Sequence, residues 1–275
     1  MISGEFSFPP ALIMVAPNGA RKGRGDHKRV PLSPEEMAEC AVHCQQAGAA
    51  MIHLHARDEA GQHSLEPELN RRFIDQVKTA VGNSMIVQMT TEAVGIYTPE
   101  QQMTLVREVV PEAVSLAIAE ILPQTPGIDE RKVADFLAWV SDSGILPQYI
   151  LYDAGDVRRY HQLKSCGIIP AGGHHLLFVV GRRGRGHPAD LASMLAAHTD
   201  ETPWAVCGFG ALEFPVCAAA LAMGGDIRVG FENNLFLHHG DLASDNCDLV
   251  IQGVIQAQQL NRNIYSATEF KSRLM

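Results

Sequence analysis

Eight short apolar runs, each followed by a longer amphipathic segment, recur from one end of this chain to the other. The runs are residues 11–17, 50–56, 85–91, 113–118, 146–152, 174–180, 203–209 and 226–231. Their mean spacing of ~34 residues matches a (β/α)8 TIM barrel, whose parallel strands are buried on both faces and therefore read as near-continuous apolar runs. Helix starts lie between them. Ser33-Pro34-Glu35-Glu36 offers a cap, a proline at the first helical position and an acidic first turn, and Thr98-Pro99-Glu100 and His187-Pro188-Ala189-Asp190 repeat the proline placement. The last helix is expected over residues 241–260. An open doubly wound sheet shows the same alternation, but eight complete units with no surplus favour the closed barrel. No linker or composition shift divides the chain, so residues 1–275 are read as a single barrel domain.

Charge narrows the function classes. With 22 basic and 31 acidic side chains the net charge is −9, which argues against nucleic acid or an anionic membrane surface as a partner, since both need a basic face. No apolar stretch approaches the roughly 18 residues of a membrane helix, and MISGEFSFPP lacks the basic start and apolar run of a signal peptide. The six cysteines form no CxxC pair and read as free thiols in a reducing compartment, so a cytoplasmic protein is expected.

In a barrel, the chemistry sits at the C-terminal ends of the strands. The second run ends His53-Leu54-His55, and side-chain alternation puts both imidazoles on one side. They are either a metal-binding pair or hydrogen-bonded barrel histidines. The eighth run reads Asp226-Ile227-Arg228-Val229-Gly230-Phe231-Glu232, so Arg228, Gly230 and Glu232 are expected on one face. Strands two and eight both flank strand one in a closed barrel, which brings Glu232 toward the histidines. Two histidines and a carboxylate suit Zn²⁺ as a Lewis acid, and other divalent ions would also fit; the alternative for Glu232 is a solvated or salt-bridged side chain.

These motifs carry a resemblance. HLHARD after the second run, APNGA after the first and GGDIRVGFENNLFL around the eighth resemble the β-keto acid cleavage enzymes, and the similarity extends to PLSPEEMAE and DLASDNCDLV. The resemblance implies a (β/α)8 fold, a homotetramer, and zinc held by His53, His55 and Glu232. It also implies a Claisen-type acyl transfer, in which a β-keto acid and acetyl-CoA give acetoacetate and a new acyl-CoA. Arg228 matches the family arginine that pairs with the catalytic acid, although a structural salt bridge inside the barrel is its other reading.

The sequence departs from the family pattern at the barrel mouth. RVGLEDN is usual, but this chain has Asn233 where the family has its aspartate base, and an amide cannot accept a proton near neutral pH. Thr90-Thr91-Glu92-Ala93 stands in place of Ser-Thr-Gly-Gly, and Ser115 to Glu120 introduces a carboxylate after the fourth run. Glu92 or Glu120 is therefore expected to replace the base or to read a cationic group on the substrate, unless each is a solvated loop residue. Thr90, Thr91, Ser115, Asn18 and Asp153 are candidate substrate contacts. Arg182, Arg183 and Arg185, in a glycine-rich turn before a helix, either bind the phosphates of CoA or form a basic surface loop. The basic segment from Asn18 to Arg29 reads as a lid or a subunit contact.

The leading expectation is thus a metal-dependent acyltransferase. A metal-dependent hydrolase is a second class, because amidohydrolase barrels also carry an HxH pair, but they place it on the first strand. A non-catalytic ligand-binding relative is a third, suggested by Asn233.

Overall fold

The computed structural model describes residues 8–125, 129–182 and 186–274. Eight parallel strands close into a barrel in sequence order, β1-β2-β3-β4-β5-β6-β7-β8, so the open sheet is excluded. The strands are β1 (Ile13–Val15), β2 (Met51–Leu54), β3 (Ile86–Met89), β4 (Ala113–Ala117), β5 (Leu146–Leu151), β6 (His175–Val180), β7 (Trp204–Gly208) and β8 (Asp226–Val229). Each lies inside its apolar run but is shorter, because the run continues into the buried turn that follows. Closure pairs β1 with both β2 and β8, with Met14 opposite Met51 on one side and Arg228 on the other.

Helices pack outside, as their caps foretell. Ser33 and Glu36 form a reciprocal capping box at the start of α1 (Pro34–Gln46), as Thr98 and Gln101 do at α3 (Pro99–Val109). The others in this ring are α2 (Pro67–Val81), α4 (Ile118–Ile121), α5 (Glu130–Asp142), α6 (Ala154–Ser165), α7 (Pro188–Ala197), α8 (Glu213–Ala222) and α9 (Asn246–Gln259). The final expected helix begins later than residue 241, because Asp245 accepts the Cys247 N–H as its cap. Before it, Phe236 and Leu242 pair in an isolated antiparallel bridge.

Two apolar layers result. One lies between strands and helices; the other fills the barrel interior with Leu12, Met14, Met51 and Ile86. A C-terminal helix that periodicity did not suggest, α10 (Ala267–Leu274), inserts Ala267 and Phe270 into that inner layer from the N-terminal end of the strands. The barrel floor is therefore plugged and its mouth is left open. No helix among the described residues is long and apolar enough to cross a membrane.

Candidate functional site

The open mouth is a cavity of about 1140 Å³, lined by residues that follow all eight strands. His53 lies within β2 and His55 one residue beyond it, and both are buried. Glu232 does not extend β8. The strand stops at Val229, Gly230 takes φ +128°, and a turn closed by Gly230 O accepting from Asn233 and Asn234 N–H swings Glu232 inward. A Cβ at Gly230 would sit 2.5 Å from Ala16 O, so only glycine allows this turn. Gly19 is needed for a second reason: it has φ +58°, and a Cβ there would meet Glu232 Cγ at 2.5 Å.

The three ligand candidates converge. His53 Nε2 faces His55 Nε2 at 3.1 Å, and Glu232 Oε2 lies 3.6 Å and 3.3 Å from them. That oxygen is buried and has no hydrogen-bond partner. Burial pushes the His53 imidazole down to about 3, so it is neutral near pH 7. Burial alone would raise the Glu232 carboxyl, but the Arg228 guanidinium, with the imidazoles, holds it well below the usual carboxylate range. Two imidazole nitrogens and an anionic oxygen with an unused lone pair are a donor set that fits a divalent cation.

Neighbouring groups hold this arrangement. Arg228 Nη2 donates to Glu232 Oε1 at 2.9 Å, and His53 Nδ1 lies 2.7 Å from Gln88 Oε1. Asn18 does not line the cavity. It is fully buried, its amide donates to His55 O and Pro31 O, and its Oδ1 accepts the His55 N–H, so it clamps the backbone of the second histidine. Arg57, from the HLHARD motif, donates to the carbonyls of Asn18, Gly19, Lys22 and Gly61. Arg57 thereby holds the start of the basic segment read as a lid or a subunit contact, and Arg21 of that segment reaches across to Glu92.

The rest of the wall is charged. Glu92 Oε1 accepts from Arg21 Nη1 at 2.7 Å and from Arg182 Nη2 at 2.6 Å. Arg182, read as a contact to CoA phosphates or as part of a basic surface loop, lines the cavity and turns onto Glu92 and the Tyr152 hydroxyl, stacked 4.9 Å over the Tyr152 ring. Arg183 and Arg185 lie outside the described residues. Glu120 differs from Glu92. Its hydrogen bonds, from Ala93 N–H and Gln102 Nε2, both fall on Oε2, and burial raises its carboxyl above the ordinary value of 4.5.

Thr90, Thr91, Ser115 and Asp153 all line the cavity. Thr90 Oγ1 accepts the Glu92 N–H, Thr91 Oγ1 donates to Ser115 O, and Asp153 Oδ1 caps α6. Asn233 is different in kind. It is 4% exposed, it lines the cavity, and neither its Oδ1 nor its Nδ2 has a partner.

Sequence reasoning passed over His63, Tyr152, Arg21, Gln88 and Glu213. His63 Nε2 donates to Glu92 O while its ring stacks edge-on against His55. Glu213, fully buried, accepts from Gly230 N–H and from Asn234 Nδ2 behind the Glu232 turn, and burial pushes it up to about 8. His174 and His175 lie at the start of β6, away from the mouth. A second grouping of His161, His198 and Asp200 lies outside the cavity lining, and Lys164 Nζ already donates to Asp200 at 2.7 Å.

Comparison with known proteins agrees with this architecture. The chain is 29% identical to a 3-keto-5-aminohexanoate cleavage enzyme of Fusobacterium nucleatum over 270 residues, covering 96% of this chain and 97% of that one. It is 25% identical to a 3-oxoadipate:acetyl-CoA acetyltransferase of Cupriavidus necator, covering 96% and 94%. A solved structure of ObcA in ternary complex with a C4-CoA adduct and oxalate shares the fold, with a TM-score of 0.70 at 16% identity over 90% of this chain and 67% of that one. The sequence model described as beta-keto acid cleavage enzyme matches residues 10–275, and the chain belongs to that family.

Proposed function

We propose that this protein is a zinc-dependent acyltransferase that converts a β-keto acid and acetyl-CoA into acetoacetate and a new acyl-CoA. The observation that carries the reading is the convergence of His53 Nε2, His55 Nε2 and the unpartnered Glu232 Oε2 at the mouth of the barrel. A divalent cation held there would supply Lewis-acid polarisation of the keto group. The names of the relatives support the substrate class, since they carry a 3-keto or 3-oxo acid and, in one, acetyl-CoA. At about 1140 Å³ the cavity exceeds the ~300–1,000 Å³ of single-ligand pockets, which suits a reaction of two substrates.

The residues divide the work. His53, His55 and Glu232 hold the cation, and Arg228 keeps Glu232 ionised and oriented. Asn233 offers the keto acid a hydrogen-bonding amide that nothing else among the described residues uses. Glu120 takes the proton from C2, because burial makes it the stronger base, whereas Glu92 Oε1 is occupied by two guanidiniums. The carbanion left behind attacks the thioester carbonyl of acetyl-CoA and expels the CoA thiolate, which adds to the original keto carbon and breaks its bond to C2, releasing the new acyl-CoA while Glu120 returns the proton to C2 of the acetoacetate. Thr90, Ser115 and Asp153 border the substrate.

The test is a mass-spectrometric assay of the zinc-loaded protein with acetyl-CoA and a panel of β-keto acids, beside a chelator-treated control. A new acyl-CoA appearing with equimolar acetoacetate, and lost with the metal, is expected. Silence across the panel with zinc bound would overturn the reading in favour of a binding relative.

A further inference from the structure

Strands inside this barrel are apolar except at a few positions, and four of those exceptions form a line. Gln88 on β3, Gln148 on β5, His175 on β6 and Asp226 on β8 are each at most 1% exposed. From the mouth downward, His53 Nδ1 meets Gln88 Oε1 at 2.7 Å, and Gln88 Nε2 donates to Gln148 Oε1 at 3.3 Å. Gln148 Nε2 then meets His175 Nδ1 at 2.7 Å, and His175 Nε2 meets Asp226 Oδ2 at 3.1 Å. Asp226 is anchored in turn by Leu12 N–H on Oδ1 and by Arg273 of the plugging helix on Oδ2. A continuous chain of buried hydrogen bonds thus runs from a ligand candidate to the barrel floor.

The amides as they lie, Gln148 Nε2 toward His175 Nδ1 and Gln88 Nε2 toward Gln148 Oε1, give the chain a single direction when His175 carries one proton. A carboxylate can accept but not donate, so His175 Nε2 must carry its proton toward Asp226. A neutral His175 then has Nδ1 as an acceptor, which requires the amino end of Gln148 there. The Gln148 oxygen is left to accept from the amino group of Gln88, whose own oxygen must therefore take a proton from His53 Nδ1. Reversing any one amide would set donor against donor or acceptor against acceptor in a dry interior, at the cost of an unmade buried bond.

We propose that Asp226, His175, Gln148 and Gln88 are positioning residues that fix His53 as its Nδ1–H tautomer, so that its Nε2 lone pair faces His55 and Glu232. The polarity of a site at the barrel mouth is then set by a carboxylate on its floor. The proposal rests on the ligand role assigned above to His53, and the test separates the two.

The first measurement uses metal-free wild-type protein with ¹⁵N-labelled histidine, in which long-range ¹H–¹⁵N spectra report the tautomer of each ring. The expected result is His53 with its proton on Nδ1; a proton on Nε2, or a mixture, would overturn the proposal without any variant. The second uses Gln148→Met, which touches no ligand candidate. It is expected to convert His53 to a tautomer mixture and to weaken zinc binding roughly 10-fold, the lower end of losses seen when orienting partners of metal ligands are removed. A folded Gln148→Met protein with unchanged tautomer and zinc affinity would overturn it. A wild-type protein with the Nδ1–H form that binds no zinc would sink the metal reading and leave the relay standing.

Discussion

Arg228 grips one oxygen of Glu232, with Nη2 2.9 Å from Oε1, and leaves the other free to face the two imidazoles. The pair divides a bidentate carboxylate into a structural half and a ligand half. Replacing Arg228 with Met should let the carboxylate rotate and lose its charge partner, weakening zinc binding by roughly 10–100-fold. Competition with a chelator of known affinity measures this; unchanged affinity would show that Arg228 only packs.

Glu120 and Glu92 line one cavity but should answer differently to amide substitution. Glu120→Gln is expected to lower kcat by about 10²–10⁴ with KM little changed, the usual cost of a general base. Glu92→Gln should act mainly on KM, because it frees Arg21 and Arg182 rather than removing a base. A reversed split in steady-state kinetics would exchange their roles.

Asn233 makes no side-chain hydrogen bond, so removing it costs the fold nothing of that kind. An unmet buried polar atom is itself worth about 1–3 kcal/mol against stability. Asn233→Ala should therefore melt no lower than wild type while losing about 10-fold or more in kcat/KM, near the 1.4 kcal/mol of one hydrogen bond to substrate. A lower melting temperature with full activity would contradict the assigned contact.

Gly19→Ala puts a methyl group 2.5 Å from Glu232 Cγ at a backbone φ of +58°. Strain of order 1–3 kcal/mol is expected, together with displacement of Glu232 and loss of tight zinc binding. Thermal melts with and without zinc separate the two effects, since zinc should stabilise wild type far more than the variant.

Glu213 supplies a pH signature. Its folded value of about 8 lies above the ordinary 4.5, so its protonated form favours the fold. That stability is fully present below about pH 4.5 and is lost as pH rises to about 8. Urea midpoints of wild type minus Glu213→Gln should accordingly fall between pH 5 and 8 and level off above; a flat difference would mean that Glu213 titrates normally.

Most of this architecture is legible in the chain because hydrophobic period and proline-led caps act locally: every apolar run contains a strand, and α1, α3 and α7 start where Pro34, Pro99 and Pro188 place them. His53, His55 and Glu232 are legible as a group because barrel closure makes β2 and β8 both neighbours of β1. What escapes is partnership across loops. Nothing in Asn18 announces that its amide would be spent on the backbone of His55, nor in Arg182 that it would fold inward to Glu92. The glutamines are a legible signal, since a lone Gln inside MIVQM or LPQYIL is a buried polar group that must find a partner. Helix α10 escapes because its anchor, Phe270 in the barrel floor, is a long-range contact that an eight-residue amphipathic segment does not reveal.

The ligand candidates come from β2 and the turn after β8, whereas Glu92, Glu120, Tyr152 and Arg182 follow β3, β4, β5 and β6. The mouth is accordingly built from two arcs of loops, joined where Arg21 and His63 meet Glu92. Mutation can redraw the arc that meets a substrate's side chain while the opposite arc, fixed by glycine turns and the clamp of Arg57, keeps the reacting centre as it was. Loop residues of one arc can be exchanged while the histidines and Glu232 of the other stay where the barrel holds them.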